Sequence, residues 1–131
     1  MDKKMFCFQC EQTVGCAGCT GNAGVCGKKA DTARLQDELT GALIGLARAV
    51  DSTTAISKRT GQIIIEGLFT TVTNVNFDDV SIENMIQKVR AEKERLVPDC
   101  SKCQSSCGKT DEYDMQQLWN ANEDIRSLKS L

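Results

Sequence analysis

Five of the chain's eight cysteines stand within its first twenty-six residues, and four of these, Cys7, Cys10, Cys19 and Cys26, are spaced C-x2-C-x8-C-x6-C. The short first gap lets two sulfurs face one centre from a single turn, and the longer gaps bring the other two around its far side. A loop encloses an iron–sulfur cluster or a zinc ion in this way. Gly15, Gly18, Gly21, Gly24 and Gly27 recur at every third position through the same loop. A collagen helix would need many such triplets and abundant proline, and this chain has one proline. Glycines here let the backbone take positive φ and come close to a bound group. Lys3, Lys4, Lys28 and Lys29 flank the loop, either as an offset to bound thiolates or as an ordinary solvated face.

Composition narrows the chemistry. The chain has no histidine, which excludes a Cys2His2 zinc site, a Rieske centre and any Ser-His or Cys-His catalytic pair. A formal charge of -2 over 131 residues gives no basic footprint for nucleic acid. No stretch approaches the apolar length of a membrane span, and the amino terminus does not read as a secretory signal. The expected location is the cytoplasm, where thiols stay reduced and clustered cysteines serve as metal ligands or redox groups rather than disulfides. Spacing alone leaves an iron–sulfur cluster, structural zinc and free or bridged thiols all open.

The organisation expected is a single all-α domain over residues 1–131, a small bundle of three or four helices with the Gly/Cys-rich loop at one end. Residues 1–30 form the loop, 31–97 are helical, and 98–131 hold a second cysteine group and a terminal helix. Asp31 is placed as N-cap of a first helix carrying Leu35, Leu39, Leu43, Leu46 and Val50 on one stripe. Residues 62–73 are rich in β-branched side chains, but the spacing of Ile65, Leu68, Phe69 and Val72 favours a helix. Ser81 is placed as cap of a third, with Ile82, Met85, Ile86, Val89 and Leu96, closed by Pro98. A last helix sets Met115, Leu118, Trp119, Ile125 and Leu128 on one side and is still running at Leu131. Its apolar surface predicts self-association, making a homo-oligomer one expected state.

The second group, Cys100, Cys103 and Cys107, reads C-x2-C-x3-C and is one ligand short of a closed site. With Cys16 it makes a second set of four, for zinc or a small cluster. A redox-active thiol pair and plain surface cysteines are the other readings, the first without a thioredoxin-like strand–helix context. Trp119 is read as packing. Asp37, Glu38, Asp78, Asp79, Glu123 and Asp124 are read as solvated faces or caps.

The string Met5-Phe6-Cys7-Phe8-Gln9-Cys10-Glu11-Gln12-Thr13, with Gly18-Cys19-Thr20, Gly24-Val25-Cys26-Gly27-Lys28 and Leu35-Gln36-Asp37, resembles the amino-terminal start of the hybrid cluster (prismane) proteins, which are assigned as hydroxylamine reductases. The likeness continues through Leu68-Phe69, Thr73 to Phe77 and Asn122 to Leu128. It implies an oxidoreductase in which Cys7, Cys10, Cys19 and Cys26 hold a [4Fe–4S] cluster, Cys16 standing apart. The compact eight-residue gap resembles the [4Fe–4S] members rather than the [2Fe–2S] ones. The cluster would receive electrons from a redox donor protein. It would pass them to a hybrid iron–sulfur–oxygen cluster whose histidine, glutamate and further cysteine ligands lie far downstream in longer members. The chain is therefore expected to be the amino-terminal portion of such an enzyme, completed by the remainder or by a complementary chain. It has no catalytic residues of its own and no nucleic-acid or membrane partner. Two rivals from other classes are a zinc-stabilised cysteine-rich helical interaction module without redox role and a thiol redox switch.

Overall fold

Leu35, Leu39, Leu43, Leu46 and Val50 lie on one helix, α1 (Ala30–Asp51), and all five are buried. The computed structural model describes residues 5–7, 9–10, 18–51, 56–73, 77–97 and 111–130. Four further helices follow: α2 (Lys58–Val72), α3 (Asp79–Leu96), α4 (Met115–Trp119) and α5 (Glu123–Ser130). No β-strand occurs among the described residues, only two isolated antiparallel bridges within the cysteine loop. The all-α expectation holds. No described helix is long and apolar enough to cross a membrane.

The core is built on α1. Its leucine stripe, with Ala42, meets Ile63 of α2 and Ile82, Ile86 and Val89 of α3. Leu39, Leu46, Ile82 and Val89 are completely buried, and each such side chain contributes roughly 1.5–3 kcal/mol by leaving water. Unlike an ordinary surface helix, α1 is also buried on polar positions: Thr32 and Gln36 are as enclosed as the leucines. Thr32 Oγ1 donates to Asp79 Oδ1 at 2.6 Å and so ties the start of α1 to the start of α3.

Three helix starts differ from the sequence reading. Asp31 falls inside the first turn of α1, one residue past its start. The second helix begins at Lys58, earlier than expected, because Ser57 Oγ accepts the Thr60 N–H at 3.1 Å. Asp78, not Ser81, caps α3: Asp78 Oδ1 accepts the Val80 N–H at 3.1 Å, while Ser81 donates to Asp78 Oδ2 at 2.6 Å. A carboxylate one residue ahead of the helix serves the free N–H groups better than a hydroxyl within it. The terminal segment is two helices rather than one, broken at Asn120-Ala121-Asn122. Asparagine side chains compete with the helix backbone and favour such breaks.

The largest departure is on α2. It is a helix, as its spacing predicts, but the apolar side that carries this spacing is the open one: Ile65, Leu68, Phe69 and Val72 are 69%, 51%, 66% and 71% exposed. Thr60, Ile63, Gly67 and Thr71 face inward instead. Two contacts choose that face. Gly67 has no side chain, and a Cβ there would stand 2.7 Å from Leu43 Cδ2, so the two helices approach where a methyl would not fit. Thr60 Oγ1 donates at 2.6 Å to Glu92 of α3, a carboxylate that also receives Arg95 at 2.6 Å and Arg59 at 3.3 Å. Pro98 and the second cysteine group lie outside the described residues.

The segment ahead of α4 is laid across α1. Tyr113 N donates to Gly41 O at 3.3 Å, and Arg48 donates to Asp111 O at 2.9 Å. A Cβ on Gly41 would overlap the Tyr113 carbonyl oxygen. Arg90 of α3 completes the seam with a two-pronged bond to Glu112, both at 2.8 Å, and a third to Glu38 at 2.9 Å. The guanidinium fork matches a carboxylate in this way, and it holds the Glu112 carboxyl below its ordinary pKa.

Candidate metal centre

Cys7 and Cys19 face one another across an antiparallel bridge. Cys7 N donates to Cys19 O at 3.0 Å and Cys19 N returns the bond to Cys7 O at 2.7 Å. Two residues that exchange both bonds send their side chains to the same face. Gly18 makes the bridge possible: its φ is +84°, and a Cβ would stand 3.2 Å from Cys7 O and 3.3 Å from the Phe6 ring. Beyond Cys19 the chain turns again, with Gly27 at φ +86° donating to Gly24 O at 2.9 Å. Gly24 N in turn donates to Lys28 O at 2.8 Å, and a Cβ on Gly24 would meet Cys26 Sγ at 3.4 Å. Two glycines of the triplet therefore supply positive φ and one supplies close approach to sulfur, while Gly15 lies outside the described residues.

Cys7, Cys10, Cys19 and Cys26 are all free and half-buried. The backbone pairs two of them, but among the described residues no three cysteine, aspartate or glutamate side chains are gathered closely enough to share a metal ion. Cys16, Cys100, Cys103 and Cys107 lie outside the described residues.

What the loop does gather is charge. Lys28 is 1% exposed, and its ammonium donates to Gln36 Oε1 at 2.6 Å, Gln9 Oε1 at 2.8 Å and Cys7 Sγ at 3.8 Å. None of the three acceptors is a carboxylate. A cation taken out of water needs a compensating anion as well as hydrogen bonds, and the group in contact that can become one is the Cys7 sulfur. Gln36 is fully buried, and its Oε1 is committed to the lysine. Its Nε2 is left as a buried donor without a partner. A cation and an orphan N–H2 at a set of thiols suit the chemistry of an anionic, sulfur-ligated group.

At the next residue of α1, Asp37 Oδ2 accepts the Trp119 indole N–H at 2.8 Å. Trp119 also packs on Phe6, ring centres 4.9 Å apart, and the Arg126 guanidinium lies 5.1 Å above the other ring's centre. Burial pushes the Asp37 carboxyl up to about 6, against the opposing pulls of the Trp119 hydrogen bond and the Lys28 charge. Asp37 is thus not the solvated carboxylate expected from sequence. With Cys7, Gln9, Thr40, Val72 and Trp119 it borders a cleft of about 240 Å³.

Because the folded pKa lies above the unfolded one, Asp37 adds no penalty below pH 4, an increasing one between pH 4 and 6, and its full penalty above pH 6. Asp37→Asn keeps an acceptor for the indole and removes the buried charge. It is expected to stabilise the fold by about 1–2 kcal/mol at pH 7.5 and not at pH 4, compared by chemical denaturation at the two values.

Gln36 and Asp37 are the site residues that sequence reasoning does not single out, while Lys28 is one of four lysines it offers as an offset to bound thiolates or as a solvated face. The available signal was a second stripe on α1: Thr32, Gln36 and Thr40 recur every fourth residue beside the leucine face, the spacing of a buried polar seam.

A family model described as Prismane/CO dehydrogenase family matches residues 5–131. A hydroxylamine reductase of Clostridium perfringens is 36% identical over 97% of this chain and 27% of its own length. One from Methanococcus vannielii is 38% identical over 95% of this chain and 22% of its own, and one from Porphyromonas gingivalis is 38% identical over 100% and 27%. The chain spans about a quarter of the length of the curated relatives it matches. With the cysteine loop inside the matched span, the chain belongs to the Prismane/CO dehydrogenase family.

Proposed function

We propose that the loop binds a [4Fe–4S] cluster through Cys7, Cys10, Cys19 and Cys26, and that the chain is the electron-entry region of a hydroxylamine reductase working in the cytoplasm. The carrying observation is the enclosed Lys28 ammonium, which reaches Cys7 Sγ at 3.8 Å and has no carboxylate among its hydrogen-bond acceptors. When bound, such a cluster accepts and passes on single electrons at a potential set by nearby hydrogen bonds, charge and exposure. The chain's own part is positional. The Cys7–Cys19 bridge presents two sulfurs on one face, Gly24 lets backbone come up to Cys26, and Lys28 and Gln36 supply positive potential from the α1 side.

Two partners belong to this reading: a redox donor protein, and the remainder of the enzyme or a complementary chain carrying the hybrid cluster. The open apolar face of α2 supports the second, since Ile65, Leu68, Phe69 and Val72 stand exposed together on one side of that helix. Relatives nearly four times longer have chain enough to cover it.

Purification without oxygen, followed by iron, sulfide and zinc analysis and a visible spectrum, tests the proposal. About four irons per chain are expected, with a broad absorption that bleaches on reduction. Cys19→Ala is expected to lose both. A colourless protein with stoichiometric zinc overturns the reading in favour of a zinc-stabilised module. Iron well beyond four would bring in Cys16, Cys100, Cys103 and Cys107 as a second site.

A further inference from the structure

Lys28 sits where few lysines do, with its whole side chain enclosed. Its neighbour Lys29 is exposed, and no solvent-seeking path is left to it. Three features make the arrangement a built one. The ammonium is held at both ends of its fan by amide oxygens from different parts of the chain, Gln9 in the loop and Gln36 on α1. Gln36 is the more enclosed of the two, and donating to no partner it acts on Lys28 only as an acceptor. The third donor direction ends on Cys7 Sγ, the sulfur whose own backbone is pinned to Cys19. Asp37 feels the same positive charge, but its hydrogen bond goes to Trp119.

We propose that Lys28, braced by Gln36, is the internal counter-cation of the Cys7 sulfur: a positioning residue that biases the centre toward its more negatively charged, reduced state. This rests on the electron-transfer reading above. The physical reason is direct. Adding an electron adds one negative charge, and a fixed cation in a poorly screened interior stabilises the form with the greater negative charge. Two neutral oxygens hold the cation without cancelling it. A carboxylate in the place of Gln36 would have cancelled it.

The test uses the whole chain, purified anaerobically with its cluster, as wild type, Lys28→Met and Gln36→Glu. Midpoint potentials are measured by dye-monitored titration, with circular dichroism checking the fold. Removing the charge in Lys28→Met is expected to shift the one-electron equilibrium toward the oxidised form by about tenfold, or ~59 mV. Gln36→Glu keeps the shape and the hydrogen bond but neutralises the ammonium, so it is expected to move the potential the same way. It also decides the matter should Lys28→Met not fold. Potentials unchanged in folded variants overturn the proposal.

Iron, sulfide and zinc analysis of the same samples separates this failure from failure of the electron-transfer reading. Wild type and folded variants that carry iron and sulfide at equal potentials overturn the role of Lys28 alone, whereas a wild type that carries zinc overturns both.

Discussion

Glu92→Ala is expected to destabilise the folded chain by about 3 kcal/mol, seen as a melting temperature lower by about 10 °C. Glu92 is 1% exposed and is the meeting point of α2 and α3: Thr60 Oγ1, Arg95 and Arg59 all converge on its two oxygens. Truncation takes away the Thr60 hydroxyl's bond to α3, leaving it Ser57 Oγ at 2.7 Å, and removes the carboxylate that draws in both arginines. The arginines are half or more exposed, which keeps the loss toward the low end for a buried pair.

The same residue carries an acid signature. The Arg95 hydrogen bond, helped by Thr60 and both arginine charges, brings the Glu92 carboxyl down to about 2 despite burial. A folded pKa below the unfolded value means stability present above about pH 4.5 and lost as pH falls toward 2. Glu92→Gln retains the shape without the charge, so its denaturation midpoint is expected to vary less than wild type across that window. An identical acid profile in both proteins would show that Glu92 does not carry this part of the acid response.

Gly41→Ala is expected to release residues 111–130 from the helical core while leaving α1, α2 and α3 folded. The added methyl would overlap the Tyr113 carbonyl, and that oxygen belongs to backbone that cannot rotate aside. The segment must lift, and with it go the Tyr113–Gly41 bond and the Arg48 contact to Asp111. The Arg90–Glu112 fork and the placement of Trp119 over Asp37 depend on the same strand of chain. Hydrogen exchange through α4 and α5 is expected to quicken at least tenfold, against little change at Leu39 or Val89. Alanine is otherwise better than glycine inside a helix by about 1 kcal/mol. A net gain in stability with unchanged exchange would therefore mean that the segment does not lie there.

Much of this was legible in the residues. The α1 stripe and the α3 positions Ile82, Ile86 and Val89 follow from periodicity, because each of those helices meets the core along one leucine- or isoleucine-rich line. Periodicity found α2 as a helix but not which side faces inward, since hydrophobicity alone ranks Phe69 above Gly67. Close approach to Leu43 and the Thr60–Glu92 bond, both tertiary, reversed the order. The family could be read from the cysteine string and its flanks. The polar seam of α1 shows only as the four-residue spacing of Thr32, Gln36 and Thr40, because a buried lysine and glutamine look like surface residues until the loop that covers them is in place. Likewise Asn120 and Asn122 gave the only local hint that the terminal helix would break.

The outward turn of α2 also bears on which part of the molecule opens first. Ile65, Leu68, Phe69 and Val72 stay more than half exposed, so the helix is anchored by Ile63, Ile64, the Gly67 contact and the polar ends at Thr60 and Thr71. Elements with few buried apolar contacts open at lower free energy than the global transition, which sets α2 apart from the α1–α3 pair. Gln36 lies on α1 and Lys28 just ahead of it, and both would keep their places through such an opening. The cleft beside Cys7 would not, because Thr71 and Val72 at the end of α2 form one of its walls. Fluctuation at the end of α2 is thus expected to change how often water and small reductants reach the Cys7 sulfur across that cleft.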